Sequence, residues 1–124
     1  MLSVAACKQR GSFRIDVNFA VPTPGVVALF GRSGCGKSSV VDLIAGLAEP
    51  DAGRIEVDDV VLYDSERGIR LAAERRRIGY VFQDARLFPH LSVAANLRYG
   101  ERRADGLRYI SLDSVATAHP RRFA

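Results

Sequence analysis

The stretch VVALFGRSGCGKSSVVDLIAGL, residues 26–47, decides how this chain is read. Residues 26–30 are an unbroken apolar run, as expected of a strand buried on both faces. Gly31, Gly34 and Gly36 then form a bend, and from Lys37 the period changes. Val40, Val41, Leu43, Ile44 and Leu47 recur at helical spacing, and Gly46 and Pro50 supply stop signals. The expected order is strand, glycine-rich bend, helix of about three turns. Three glycines within six residues lose more backbone entropy on folding than other residues would, which points to main chain that must come close to something.

Within the bend, residues 31–38 (GRSGCGKS) satisfy the pattern G-x-x-x-x-G-K-S/T. From the chain's own residue frequencies, a chance match has a probability on the order of one in a thousand. Each residue type has a separable reason. Glycine at 31, 34 and 36 lets the main chain approach phosphate oxygens without a Cβ in the way. Successive N–H groups from Gly31 through Arg32, Ser33, Gly34, Cys35 and Gly36 then point inward as an anion cradle. The helix beginning near Lys37 adds its positive dipole end and unpaired amides at Lys37, Ser38 and Ser39. Lys37 is expected to meet the β- and γ-phosphates of ATP as a mobile point charge, Ser38 to ligate Mg²⁺ and Ser39 to support the first helical turn. The Cys35 thiol occupies a free position of the pattern and is dispensable.

Outward from the loop, residues 13–21 (FRIDVNFAV) alternate with period two and predict a strand with one wet face. Residues 54–57 and 60–63 flank Asp58 and Asp59 as a β-hairpin. Residues 72–77 are helix-tolerant, and residues 78–83 (IGYVFQ) predict a second buried strand. Ser92 is placed to cap a short helix running through Leu97. No internal repeat appears.

The chain has 124 residues, of which 48% are hydrophobic and 26% charged, ordinary globular composition for about one domain. Its net charge of +4 is uneven: residues 1–64 hold six basic and eight acidic side chains, residues 65–124 twelve and six. The arginines are scattered among hydrophobic residues and no nucleic-acid reading motif is present, so a solvated face is expected and not a nucleic-acid partner. The run Arg75, Arg76, Arg77 is read the same way. Lysine occurs only at 8 and 37, against sixteen arginines, which sets Lys37 apart. Cys7 and Cys35 have neither metal nor disulfide spacing, in keeping with a reducing compartment. No run reaches the roughly 18 apolar residues needed to span a bilayer.

The phosphate loop alone does not choose among kinases, GTPases, helicases and transporter motors; the residues C-terminal to it do. A hairpin, then GYVFQDARLFPHLSV (residues 79–93) and NLRYG (residues 96–100), resembles the ATP-binding subunit of an ABC transporter. Within that family, these stretches with DSERGIRL (residues 64–71) and ERRRIG (residues 74–79) are most similar to the ATPases of molybdate importers. The implied fold class is α/β, a partial P-loop NTPase core with an N-terminal antiparallel β portion. Residues 1–100 correspond to the N-terminal part of the ATP-binding domain, and residues 101–124 to the start of a helical subdomain with an atypical tail.

The resemblance makes Lys37 and Gln83 the catalytic candidates and Ser38 and Gln83 the metal candidates. A neutral amide at 83 can face a metal and accept from the attacking water without adding charge. It further implies that residues 84–99, with Leu87, Phe88 and Leu91 beside Pro89, receive a transmembrane permease subunit. The complete ATPase subunit is expected to work as a homodimer, cytoplasmic and peripheral on the inner face of the plasma membrane. Phe13 lies near where the family stacks an aromatic on adenine, and it also fits the strand core. The resemblance stops short in three places: no Leu-Ser-Gly-Gly-Gln signature, no apolar strand ending in Asp-Glu after Gln83, and no histidine in a switch context, His119 being incidental in the tail. The expectation is an N-terminal fragment of the motor domain that binds MgATP and turns over negligibly alone. The alternatives are a poorly folded, non-catalytic remnant or a module of another oxyanion or small-solute transporter.

Overall fold

The computed structural model describes residues 1–84 and 86–100; the expected helical subdomain start at 101–124, with His119, lies outside the described residues. The chain divides into two compact units, Met1–Tyr80 and Val81–Ala124.

The first unit is built on an antiparallel sheet in the spatial order β2-β1-β3-β4-β5. Its strands are β1 Leu2–Arg10, β2 Phe13–Val21, β3 Ala52–Val57, β4 Val60–Asp64 and the short β5 Ile69–Arg70. The expected strand at 13–21 is present, and its alternation aims Ile15, Val17 and Phe19 inward. One interior strand was not anticipated: β1 lies between β2 and β3, pairing Val4 with Phe19 on one side and with Ile55 on the other. Alanine and lysine are weak strand formers, so β1 shows only a faint alternation of Leu2, Val4 and Ala6. Burial between two neighbours supplies what propensity does not.

The predicted hairpin joins β3 to β4. Asp58 and Asp59 take φ of 46° and 68°, the left-handed pair that matches the twist of a two-residue hairpin turn. A bulge between Ile55 and Glu56 skips Leu62 of β4, so Leu62 and Tyr63 are both buried instead of alternating. The Tyr63 hydroxyl donates to the Pro50 carbonyl at 2.9 Å, satisfying the polar end of a ring at the bottom of the core.

Helix α1, Lys37–Ala45, lies on this sheet, where Leu43 packs with Val4, Ala6, Ile55, Leu62 and Tyr63. The buried stripe is narrower than its sequence suggests: Val40 and Leu43 are buried, whereas Val41 and Leu47 face solvent. Gly46 ends the helix in the left-handed conformation, as expected.

Two strands read from the sequence do not form. Residues 26–30 have no regular structure, with Val26 100% and Phe30 93% exposed; residues 78–83 likewise stay irregular, with Val81 95% exposed. An apolar run becomes a doubly buried strand only where neighbours take up its backbone groups. Among the described residues the sheet runs from β2 to β5 and pairs with neither run. The second unit holds α2, Val93–Arg98, capped by Ser92, whose Oγ accepts from the Ala95 N–H at 3.2 Å.

Asp64, at the end of β4, is the buried charge of the first unit. Its Oδ1 accepts the N–H groups of Glu66 and Arg67, each at 3.0 Å, and its Oδ2 meets the Arg54 guanidinium at 3.1 Å. The Arg67 N–H, ahead of the Glu66 N–H and the charges of Arg54 and Arg67, holds the carboxyl below the usual carboxylate range against the opposing push of burial. A folded value below the unfolded one stabilises the fold fully above about pH 4 and loses that contribution as pH falls further. Thermal melts of wild type and Asp64→Asn should therefore differ at pH 7, wild type being the more stable, and draw together as pH falls below about 4. Parallel curves across that range would contradict the assignment.

Candidate phosphate-binding site

Residues 31–36 leave the irregular run, turn back on themselves and enter α1. The Cys35 N–H donates to the Arg32 carbonyl at 3.1 Å, closing the turn, and Gly34 and Gly36 take φ of 81° and 101°. These angles lie in the left-handed region that favours glycine. Close approach restricts two of the glycines further. A Cβ on Gly31 would sit 2.5 Å from the Cys35 sulfur, and one on Gly36 would sit 3.2 Å from Cε1 of Phe13.

Lys37 folds back over this loop. Its ammonium donates to the carbonyls of Gly31 at 2.7 Å and Arg32 at 2.8 Å, with the Cys35 sulfur 3.7 Å away. The positive charge is thus held above the bend by its own carbonyls. At the start of α1 there is no side-chain cap and no acidic residue in the first turn, so the amide end keeps its positive field. Ser38 is exposed there. Ser39 is half-buried, and its Oγ accepts from the Arg10 guanidinium at 3.0 Å, bringing a further cation from β1 to the same turn.

An oxyanion fits this arrangement. Glycine backbone, one ammonium and an uncapped helix start come together here, and the first turn of the helix carries no carboxylate to repel the guest. A divalent cation fits only as a companion of that anion. Among the described residues no cluster of three His, Cys, Asp or Glu side chains exists to hold a metal, and Mg²⁺ in nucleotide sites is held largely by substrate phosphates and water with few protein ligands. Ser38 presents an exposed hydroxyl in the first turn of α1.

Phe13 is 41% exposed and lies against Gly36, at the rim of the loop and not in the strand core. The arginine run is not a uniform solvated face. Arg76 turns inward to the far end of α1, donating to the carbonyls of Leu43 and Ile44 at 2.9 Å each and of Leu71 at 2.8 Å. Burial pulls its guanidinium below its ordinary value. Sequence alone gave Arg76 no distinction from Arg75 and Arg77; the signal would have been its distance from the helix end, which only the fold sets.

Gln83 lies in the second unit, exposed, in a bend. In that unit Asn96 organises the apolar segment: its Oδ1 accepts the Phe88 N–H at 2.8 Å, and its Nδ2 donates to the carbonyls of Phe88, Leu91 and Ser92. Phe88 stacks at a tilt on Tyr99, ring centroids 4.3 Å apart. Beside them an open concavity of about 460 Å³ is lined by His90, Leu91, Ser92, Ala95, Arg98 and Tyr99. No helix among the described residues is long and apolar enough to cross a membrane.

A family model described as ABC transporter matches residues 15–123. The molybdenum import ATP-binding protein ModC of Rhodospirillum rubrum is 52% identical over 116 residues, covering 93% of this chain and 31% of that protein. ModC of Haemophilus ducreyi is 49% identical over 112 residues, covering 90% of this chain and 32% of that protein. The chain thus spans about a third of the length of these curated relatives. Among solved structures, the ATP-binding cassette MJ0796, a dimer in a post-hydrolysis state bound to ADP and Pi, superposes with a TM-score of 0.65. That match is at 25% identity and covers 92% of this chain and 52% of that one.

Proposed function

This chain belongs to the ABC transporter family, and from that premise we propose that it is the nucleotide-binding part of an importer ATPase serving molybdate, taking MgATP in the loop at 31–39. One observation carries the reading: the Lys37 ammonium is held over a glycine loop that opens directly into an uncapped helix. That is the arrangement a polyphosphate needs, and a surface turn has no use for it. The likeness to molybdenum import proteins supports the choice of cargo.

In this reading the backbone N–H groups from Gly31 to Gly36 and those of Lys37, Ser38 and Ser39 surround the phosphates. Lys37 shifts its ammonium from the loop carbonyls to the β- and γ-phosphate oxygens, trading neutral acceptors for charged ones. Ser38 and Gln83 are the residues that would hold Mg²⁺, which neutralises charge on the β- and γ-oxygens when bound. Gln83 senses the γ-phosphate and couples it to transport. The complete subunit works as a dimer, cytoplasmic and held to the inner face of the plasma membrane through a permease that docks on residues 84–99.

Calorimetric titration of the chain with MgATP tests the reading, and saturable binding is the expected result. Gln83→Ala is expected to keep that affinity within about twofold, because a single neutral amide adds little to a site dominated by charge. The same change in the assembled transporter should abolish ATP-driven molybdate uptake. Equal loss of binding and uptake would remove Gln83 from the coupling role.

A further inference from the structure

We infer that Arg76 is a positioning residue for the triphosphate site, acting through α1 from the end of the helix opposite the loop; the inference rests on the reading of residues 31–39 as that site. The last carbonyls of a helix have no partner within it. In α1 the Asp42 carbonyl accepts the N–H groups of Gly46, Leu47 and Ala48. The next two, Leu43 and Ile44, are both taken by Nη1 of Arg76, while its Nε is fixed by the Leu71 carbonyl. Among the described residues no carboxylate pairs with this guanidinium, so its charge is committed to the negative end of the helix dipole.

The fit is close. A Cβ on Gly46 would lie 2.7 Å from Nε and 2.8 Å from Cζ of Arg76, so the helix ends on a glycine for the guanidinium's sake as well as for its own φ of 81°. A second tie joins the same strip of chain to α1: the Tyr80 hydroxyl donates to Oδ1 of Asp42 at 2.7 Å. Segment 71–80 therefore grips the C-terminal half of the helix at two points, and Leu43 seats it on the sheet.

A nine-residue helix is roughly 13 Å long and too short to bend, so a tilt allowed at one end reappears at the other. Binding amides need placement to about 0.5 Å. Arg76 supplies that placement from a distance, and its cation and the bound phosphates reinforce the same dipole from opposite ends.

The test compares Arg76→Gln and Arg76→Lys with wild type by MgATP titration and by the amide NMR positions of Gly34, Gly36, Lys37 and Ser38, at a temperature where each variant is folded. Tyr63→Phe serves as control, since it loses a buried hydrogen bond of the same fold, the one to the Pro50 carbonyl, and none made to α1. Arg76→Gln is expected to weaken MgATP about tenfold and to shift the loop amides. Arg76→Lys keeps the charge without the planar fork and should fall between. Tyr63→Phe should lower stability and leave both readouts alone. Loop amides and affinity unchanged in folded Arg76→Gln overturn the proposal, and so does an equal response in Tyr63→Phe. If Arg76→Gln does not fold, Arg76→Lys decides by the same two readouts. Should wild type bind no MgATP, the reading of the site fails separately, and the amide shifts alone decide whether Arg76 positions the loop.

Discussion

Lys37→Ala is expected to weaken MgATP binding at least 100-fold, the largest functional effect of any single change in the loop. Two losses combine. The ammonium that would meet the β- and γ-phosphates disappears, and hydrogen bonds between charged groups contribute roughly 1.5–3 kcal/mol each. The loop also loses its internal tie, because the same ammonium bridges the carbonyls of Gly31 and Arg32. A hundredfold loss corresponds to about 2.7 kcal/mol, within reach of one such contact and its neighbour. Calorimetry with MgATP checks it, with circular dichroism to show that the fold is retained. Retention is expected, since the core of Val4, Leu43, Ile55, Leu62 and Tyr63 does not involve Lys37. Lys37→Arg should recover only part of the affinity, because a planar fork cannot replace a compact ammonium between two carbonyls. Unchanged binding in Lys37→Ala would end the phosphate reading.

Gly53→Ala is expected to be the most damaging single methyl group in the first unit. Gly53 sits in β3 opposite Ala6 with φ of 125°, and a Cβ there would fall on the Ala5 carbonyl oxygen and 2.7 Å from the Ala6 Cα. Both neighbours are backbone of the adjoining strand β1 and cannot swing aside. The same residue is tied to Ser65: its N–H donates to Ser65 Oγ at 2.9 Å, and its carbonyl accepts the Ser65 N–H at 3.0 Å and the Ser65 hydroxyl at 3.3 Å. Backbone strain and overpacking together cost roughly 3–5 kcal/mol. That approaches the whole stability of a small domain. Urea unfolding, or failure to recover folded protein, measures the effect. Gly68→Ala is the matched control: φ is 68°, but a Cβ there meets nothing within 4 Å, so a cost of only about 1 kcal/mol is expected. Similar unfolding midpoints for the two variants would show that the strand crowding is not what restricts position 53.

Much of the site was legible because its requirements are local. A phosphate loop is specified by which residues lack a Cβ and where one ammonium follows them, and neither depends on distant chain. The hairpin turn at Asp58 and Asp59 and the Ser92 cap were equally local, each set by three or four consecutive residues. β1 was missed because its alternation is carried by Leu2, Val4 and Ala6 among residues nearly as apolar; it is a strand because β2 and β3 flank it. The runs at 26–30 and 78–83 erred in the other direction. Their composition suits a buried strand, yet a strand exists only with partners, and the described sheet offers none.

The order of glycines, the lysine and the helix period in residues 31–47 determined by itself that a glycine-rich bend carrying one lysine opens into a helix, since backbone freedom and charge are properties of the residues that carry them. Tertiary structure alone decided that Arg76, among three adjacent arginines, turns to the far end of that helix, and that Gly53 tolerates no side chain. Those are matters of distance between segments remote in sequence, and composition carries no record of distance.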